Sequence, residues 1–449
     1  MKKIFQYIML AVVTIVMASC TSDIEETTAT TGKNNVQLVV GEFPAFGDSQ
    51  TRAIGTPDEG KTSWAVGDEL LLEIDNTSYG RHNATFTYNG SSWELTSGEL
   101  VYLEGDPAYI SHVYYAPNYK WEAGKLVLKE GKDPGTDEYI EGNARITGNG
   151  ETITVSFAEA TRKYSRLRIA TLPNEQITVD TEYFTPAGSS DMEQNGNYTL
   201  TSDEKGNAYL YGTFENNSEV TVKYREAALT TYTFSQATES AKSYALDATV
   251  ISANSAEEIK SAIEQKVADG KTTIRLNLAP NAGTNEFMAI REAIKGAAPN
   301  DLGTIELTII GVETIPEEAF YKMLQLKSVR MSDVKEIKKY AFKECQYLTV
   351  VEAPSLNKLY SGAFKKCDQL SKLTFGPINY ADARNWPIFE YITPNIDLIL
   401  SDYQKEMIET DDYLYTANND RDYAGSDEHN SKNFLGREFK SITCRYPVE

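Results

Sequence analysis

The chain has 449 residues, enough for about three domains at roughly 150 residues each. Hydrophobic residues make up 41% and charged residues 24%, which excludes wholesale disorder and fits folded domains. Lys and Arg total 43 against 65 Asp and Glu, so the net charge is −22, a balance that repels phosphate backbones and argues against nucleic acid as a partner.

Lys2 and Lys3 begin a short positive segment, and Ile4 to Val16 is apolar apart from Gln6 and Thr14. This stretch is too short and wrongly flanked for a stable transmembrane helix. It ends in Met17-Ala18-Ser19-Cys20, which resembles the lipobox of bacterial lipoproteins. That resemblance implies removal of a signal peptide, residues 1–19, and a lipid on Cys20. A plain secretory signal is the alternative. Thr21 rather than Asp follows the cysteine, and Asp23, Glu25 and Glu26 come next. In lipoproteins of double-membrane bacteria this pattern resembles passage to the outer membrane and display at the cell surface. Residues 20–35 are polar and Thr-rich and read as a flexible tether.

From Val36 the pattern is short alternating runs punctuated by Gly, Asn, Asp and Pro: Val36–Val40, Glu69–Ile74, Ala84–Tyr88, Leu100–Leu103, Ala108–Tyr115 and Lys125–Leu128. Such spacing predicts a β-sandwich over 36–129. Asn89-Gly90 marks a hairpin, because both residues tolerate positive φ. The polar stretch from Glu130 to Asp137 reads as a break. A second series then predicts a second sandwich over 130–250: Thr152–Phe157, Tyr164–Ala170, Asn207–Phe214, Glu219–Tyr224 and Leu229–Phe234.

At Ser255 the period changes. Ser255 with Glu257 and Glu258 starts a helix whose buried face is Ile259, Ile263 and Val267, and Gly270 stops it. Thr273–Leu278 predicts a strand, Met288–Ala297 a helix and Ile305–Ile310 a strand. Then Ala319-Phe320, Ala341-Phe342 and Ala363-Phe364 recur at a period of 22. Ile315, Ile337 and Leu359 hold the same phase, as do Leu326, Leu348 and Leu370, and Val329, Val351 and Leu373. A unit of this length is a strand plus a return arm, and stacking turns each slot into an apolar ladder. Leu307 and Ile309 fit the frame one unit earlier as a degenerate cap. After Pro377 the frame is lost, Asn395–Leu400 offers one last strand, and the remainder reads as a cap with a long loop.

The repeats resemble BspA-type leucine-rich repeats, which implies an α/β solenoid over 251–449 and a role in adhesion and protein binding. The first half resembles the fimbrillin-like (Mfa-like) family through Thr51-Arg52-Ala53, Trp64-Ala65-Val66-Gly67-Asp68 and Tyr114-Tyr115-Ala116-Pro117. That resemblance implies two tandem transthyretin-like β-sandwiches. It also makes Arg52 a candidate processing site, where cleavage would release the first strand and open a groove for a neighbour's strand. An ordinary exposed arginine is the competing reading. Trp64 reads as a core plug and Gly67-Asp68 as the turn launching the next strand.

His82, His112 and His429 are scattered, with no zinc-type spacing, and Asp420, Asp422, Asp427 and Glu428 lack the spacing of an EF-hand. No metal, cofactor or catalytic constellation is expected. Cys345 and Cys367 share a repeat slot that Met323 fills in the first unit, so buried free thiols are favoured over a disulfide. Strand alternation puts Ser328, Arg330, Val350, Glu352, Lys372 and Thr374 on the face away from the core. These are the candidate binding face. The expectation is a non-catalytic, lipid-anchored outer-membrane binder of a host or bacterial surface protein or glycan. The alternative is an accessory, anchor or tip subunit that joins other fimbrial subunits by strand exchange.

Overall fold

The computed structural model describes residues 37–44, 46, 61–76, 80–99, 108–147, 152–157, 162–225, 227–253, 255–382, 388–392, 395–401, 433–435 and 437–445. Cys20, Arg52, the segments 1–19 and 20–35, the strand expected at Leu100–Leu103 and the acidic loop at 420–428 lie outside these residues. The chain divides into two compact units, one ending at Lys163 and the other continuing from Tyr164.

The first unit contains β1 (Gln37–Val40), β2 (Glu69–Asn76), β3 (Gly80–Tyr88), β4 (Trp93–Gly98), β5 (Ala108–Tyr115), β6 (Tyr119–Glu122), β7 (Lys125–Leu128), β8 (Ile140–Thr147) and β9 (Thr152–Ser156). Seven strands join in the order β1-β9-β8-β5-β2-β3-β4, and β6 and β7 form a separate hairpin. Leu70, Leu72 and Ile74 of β2 are buried on one face, while Leu71 packs with Ala116 and Tyr119 on the other. The β3–β4 turn is closed by the Asn89 carbonyl side chain, which accepts from Ser91 N–H and Ser92 N–H, with Gly90 at φ 103°.

The boundary expected at 129/130 falls instead at 163/164. β8 pairs with β5 through Tyr115↔Ile140, and β9 lies between β8 and β1. The polar stretch that reads as a linker is an internal turn. Gly131 and Gly135 take positive φ there, and the Asn118 amide donates to the Asp133 carbonyl and to Thr136 Oγ1. Composition alone does not separate a linker from a hydrogen-bonded turn.

The second unit opens with β10 (Ser165–Ala170), β11 (Gln176–Pro186), β12 (Glu193–Thr201), β13 (Asn207–Phe214), β14 (Glu219–Tyr224), β15 (Ala227–Thr233) and β16 (Ser243–Asp247). Their sheet order is β15-β14-β11-β13-β10-β16, with β12 paired to β11. Phe184, Phe214 and Phe234 form the aromatic centre of its core.

The repeat region continues the same unit. It begins with β17 (Ile251–Ala253), α1 (Ala256–Ala268), β18 (Thr273–Leu278), α2 (Thr284–Ala297) and β19 (Ile305–Ile310). Then come β20 (Thr314–Ile315), β21 (Leu326–Arg330), β22 (Glu336–Ile337), β23 (Val350–Ala353), β24 (Lys358–Tyr360), β25 (Lys372–Phe375), β26 (Tyr380–Asp382) and β27 (Asp397–Ser401). The chain closes with β28 (Asn433–Phe434), β29 (Arg437–Glu438) and β30 (Ser441–Arg445). One parallel sheet runs β17-β18-β19-β21-β23-β25-β27-β30, and a second runs β20-β22-β24-β26. Ser255 caps α1 by accepting from Glu258 N–H. α2 starts four residues before the expected Met288, because the Glu286 carboxylate reaches back to Gly283 N–H at 2.8 Å.

The repeat core is a stack of phenylalanines. Phe320 and Phe342 lie 5.1 Å apart, Phe342 and Phe364 5.4 Å, and Phe364 and Phe389 5.8 Å, all stacked with nearly parallel rings. Phe287 of α2 closes one end edge-on at 5.7 Å, and Phe439 closes the other at 5.5 Å. Each rung is bonded to the next: Phe320 N–H donates to the Ala341 carbonyl, and Phe342 N–H to the Ala363 carbonyl.

The frame does not end at Pro377. Ala381 pairs opposite Leu359, and Phe364 N–H donates to the Ile388 carbonyl just as Phe342 donates to Ala363. β27 then pairs Lys372 with Asp397, an offset of 25 rather than 22. Three added residues break the sequence phase while the ladder carries on.

β18 and β19 are covered on both faces. Ile274, Leu276, Leu307 and Ile309 face the repeat core. On the opposite face Ile310 joins the core of the β10–β16 sheet, Thr308 is buried, and Arg275 Nε donates to the Leu229 carbonyl with Asp247 beside it. This explains the nearly continuous apolar run Ile305–Ile310, which alternation alone would not give. The β10–β16 sheet and the repeats are therefore one folded body.

Phe342→Ala removes the middle of the stack, where the side chain is fully buried. A loss of about 3–5 kcal/mol is expected in urea unfolding of the chain. An unchanged transition would mean that the stack does not hold the repeats together.

Candidate functional site

The six residues expected on the outward strand face fall into two rows. Ser328, Val350 and Lys372 are in register across β21, β23 and β25, and so are Arg330, Glu352 and Thr374. Their neighbours Val329, Val351 and Leu373 point inward and are fully buried. Alternation therefore turns the six away from the buried side of the sheet.

The rows are longer than the sequence shows. Asp397 and Ser441 extend the first, and Ile399 and Thr443 extend the second. In the other direction the rows pass through Glu306 and Thr308 to Thr273 and Arg275, and Thr308 and Arg275 are buried under the β10–β16 sheet. The accessible face thus starts at β21 and runs to β30. A fold-level repeat signal finds the rungs but not what covers the first of them.

The face is organised by charge pairs. Arg330 Nε lies 2.9 Å from Glu352, with the two side chains 41% and 29% exposed. At the far end Asp397 accepts from Ser441 Oγ at 2.6 Å and from Lys440 Nζ at 3.0 Å. The Ser441 hydroxyl and then the Lys440 ammonium hold the Asp397 carboxyl below its ordinary range. Between these pairs lie Ser328, Val350, Thr374 and Ile399, all half-buried. Such a surface offers hydrogen bonds, two ion pairs and small apolar contacts.

Cys345 and Cys367 are free and fully buried. Their thiols donate to the Phe320 and Phe342 carbonyls, each at 3.0 Å. Burial pushes the Cys345 thiol up to about 12, and Cys367 is raised well above its ordinary value by the same cause. Among the described residues, no three His, Cys, Asp or Glu side chains are grouped as a metal site would need. His112 pairs with Glu141 at 2.8 Å, and His82 lies on β3.

In the first unit, the Trp64 motif is structural. Trp64 contacts Phe43, Trp93 and Tyr115 edge-on at 4.9, 5.2 and 5.3 Å, and its Nε1 donates to the Gly41 carbonyl. Gly67 takes φ 92°, and Asp68 accepts from Ala65 N–H while pairing with Lys61. Arg162 is fully buried, pairs with Glu138 at 2.9 Å and donates to the Pro44 carbonyl. Together these groups hold residues 37–44, of which β1 joins β9 in parallel.

Residues 302–399 match the family model described as the BspA type leucine rich repeat region, in six copies. No curated protein matches the chain. Among solved structures, the chain is similar to the minor pilin of the gram-positive pathogen Streptococcus agalactiae at 9% identity. That alignment covers 48% of this chain and 93% of the pilin with a TM-score of 0.17, too low to assign a shared fold.

The raised thiols give a pH dependence. Thiols in the unfolded chain ionise near 8.5, but the folded ones stay neutral, so their contribution is complete below that pH and falls as pH rises toward 12. Urea unfolding at pH 7 and pH 10 should differ by about 2 kcal/mol for Cys345 on this account. Cys345→Ser should remove that share of the difference. An equal pH dependence in the variant would contradict it.

Proposed function

We propose that this protein is a non-catalytic binding protein of the cell surface, anchored by a lipid on Cys20, with the repeats as its contact module. The observation that carries this reading is the strand face from β21 to β27, where side chains of successive rungs stand in register and at least partly exposed. The lipobox-like segment ending at Cys20 supports export and outer-membrane anchoring, and the acidic residues after it support surface display. In this reading the two β-sheet regions are fimbrillin-like sandwiches of the transthyretin type. The partner is a protein or glycan on a host or bacterial surface.

The accessible strand face spans few rungs, which fits weak, transient contacts strengthened by many displayed copies. Arg330 and Lys372 sit on this face, and charges at such positions mainly tune association rate and selectivity. Beads coated with the chain beginning at residue 21 should attach to a surface that presents the partner found in a matrix-protein and glycan screen. Arg330→Glu and Lys372→Glu should slow that attachment. Attachment untouched by both reversals would remove the strand face from the function.

A second reading, a fimbrial accessory, anchor or tip subunit, is favoured by one feature of the first unit. β1 lies at a sheet edge, paired with β9, and the residues after it are held by contacts from Trp64 and Arg162, shortly before Arg52. A strand so placed can be exchanged after cleavage. N-terminal analysis of the protein taken from cells separates the readings. Retention of residues 37–46 on the chain supports the binder, and a start at Ala53 supports the fimbrial subunit.

A further inference from the structure

The charge of the chain is segregated. Residues 319–381 contain eleven Lys and Arg against five Asp and Glu, a net charge of +6 within a chain of −22. Only Arg330, Lys372 and the flanking Lys327 belong to the strands of the large sheet. The others lie on the return arms and the small sheet, away from the proposed strand face.

On the arms, lysines and tyrosines interleave from rung to rung. Lys343 Nζ sits 5.1 Å from the Tyr321 ring and 4.8 Å from the Tyr340 ring. Lys322 is 5.1 Å from Tyr321, and Lys339 is 4.9 Å from Tyr340. Glu344 partly offsets Lys322 and Lys343 at 3.6 and 3.9 Å, whereas Lys339 and Lys366 form no ion pair among the described residues. The slot shared by Lys322, Glu344 and Lys366 takes the left-handed conformation in every rung, at φ 56°, 63° and 58°. Glycine fits that conformation most easily, yet long charged side chains occupy it in all three rungs. The stack of rungs sets the pitch of this face at the 5.1–5.8 Å of the phenylalanine ladder.

We propose that this return-arm face is a second binding surface, distinct from the strand face, and that it takes a sulfated polysaccharide. A chain of sugar rings carrying regularly spaced anions meets lysines presented by successive arms, Lys322, Lys339, Lys343 and Lys366, and the tyrosine rings beside them offer flat faces to the sugars. The cations on the arms are all lysines. Lysine is a compact point charge on a flexible stem, so it meets a sulfate oxygen without a fixed docking geometry. Duplex nucleic acid carries a charge about every 1.7 Å and would press that density against a chain whose remaining residues total −28. This surface is independent of the Arg330 and Lys372 face, so each can fail without the other.

The test uses the chain beginning at residue 21 and immobilised heparin as the probe. The wild type should bind, and binding should weaken steeply with added salt. The double variant Lys339→Glu/Lys366→Glu should bind about ten-fold more weakly or worse, because two attractions become repulsions. Its melting temperature should stay that of the wild type. Arg330→Glu/Lys372→Glu should bind heparin as the wild type does. Four results would overturn the proposal: no binding by the wild type, equal binding by the Lys339/Lys366 variant, equal binding to desulfated heparin, or stronger binding to duplex DNA or to polyglutamate. Should the double variant melt early, Lys339→Gln/Lys366→Gln replaces it, with weaker binding expected and unchanged binding contradicting the proposal.

Discussion

The second unit depends on the phenylalanine at the end of each Ala-Phe pair. Phe320, Phe342, Phe364 and, after Ile388 in place of alanine, Phe389 stack within one column that runs through the core of the repeats. A ring added to the stack buries apolar area on both its faces, and neighbouring backbone amides bond across the same gap. The Cys345 and Cys367 thiols fit beside the column because they are small and donate weakly to carbonyls of the preceding rung. The edge-on rings of Phe287 and Phe439 end the column, since a flat ring left open would expose apolar surface.

A second constraint fixes what the repeats can present. Arg275 and Ile310 stand on the outward face of the first two long strands and are taken up by the β10–β16 sheet. A buried guanidinium is costly unless it is paired and hydrogen-bonded, and here the Leu229 carbonyl accepts from Nε while the Asp247 carboxylate lies 3.9 Å from Nη1 as a counter-charge. The contact removes the first rungs from the accessible face. It also joins sheet and solenoid, so a repeat fragment cut at Ala253 would expose Ile310 and strand Arg275.

Much of this is legible in the sequence, for a physical reason. The period of 22 is readable because each slot is apolar in every unit, so the rungs, the inward residues and the outward residues follow from alternation. The turn at 130–137 is misread because hydrogen bonds made by Asn118 are not a compositional signal. The frame beyond Pro377 is lost to the eye because three inserted residues change the phase without changing the ladder. β11 and β12 escape notice because polar residues fill their outward positions, Thr178, Asp180 and Glu182 in the first and Asn195, Asn197 and Thr199 in the second. Coverage of the first rungs by another sheet leaves only one trace, the unbroken apolar run at Ile305–Ile310.

The central claim is that one continuous column, joined to the β10–β16 sheet, holds the proposed binding face rigid. Native-state hydrogen exchange of the whole chain tests it most directly, because cooperative units open with a common free energy. The amides of Phe320, Phe342 and Phe364 should exchange at the same opening free energy as those of Leu167 and Val222 in the sheet. Exchange of the repeat amides at a clearly lower free energy than the sheet amides would contradict the claim and make the repeats a separate module.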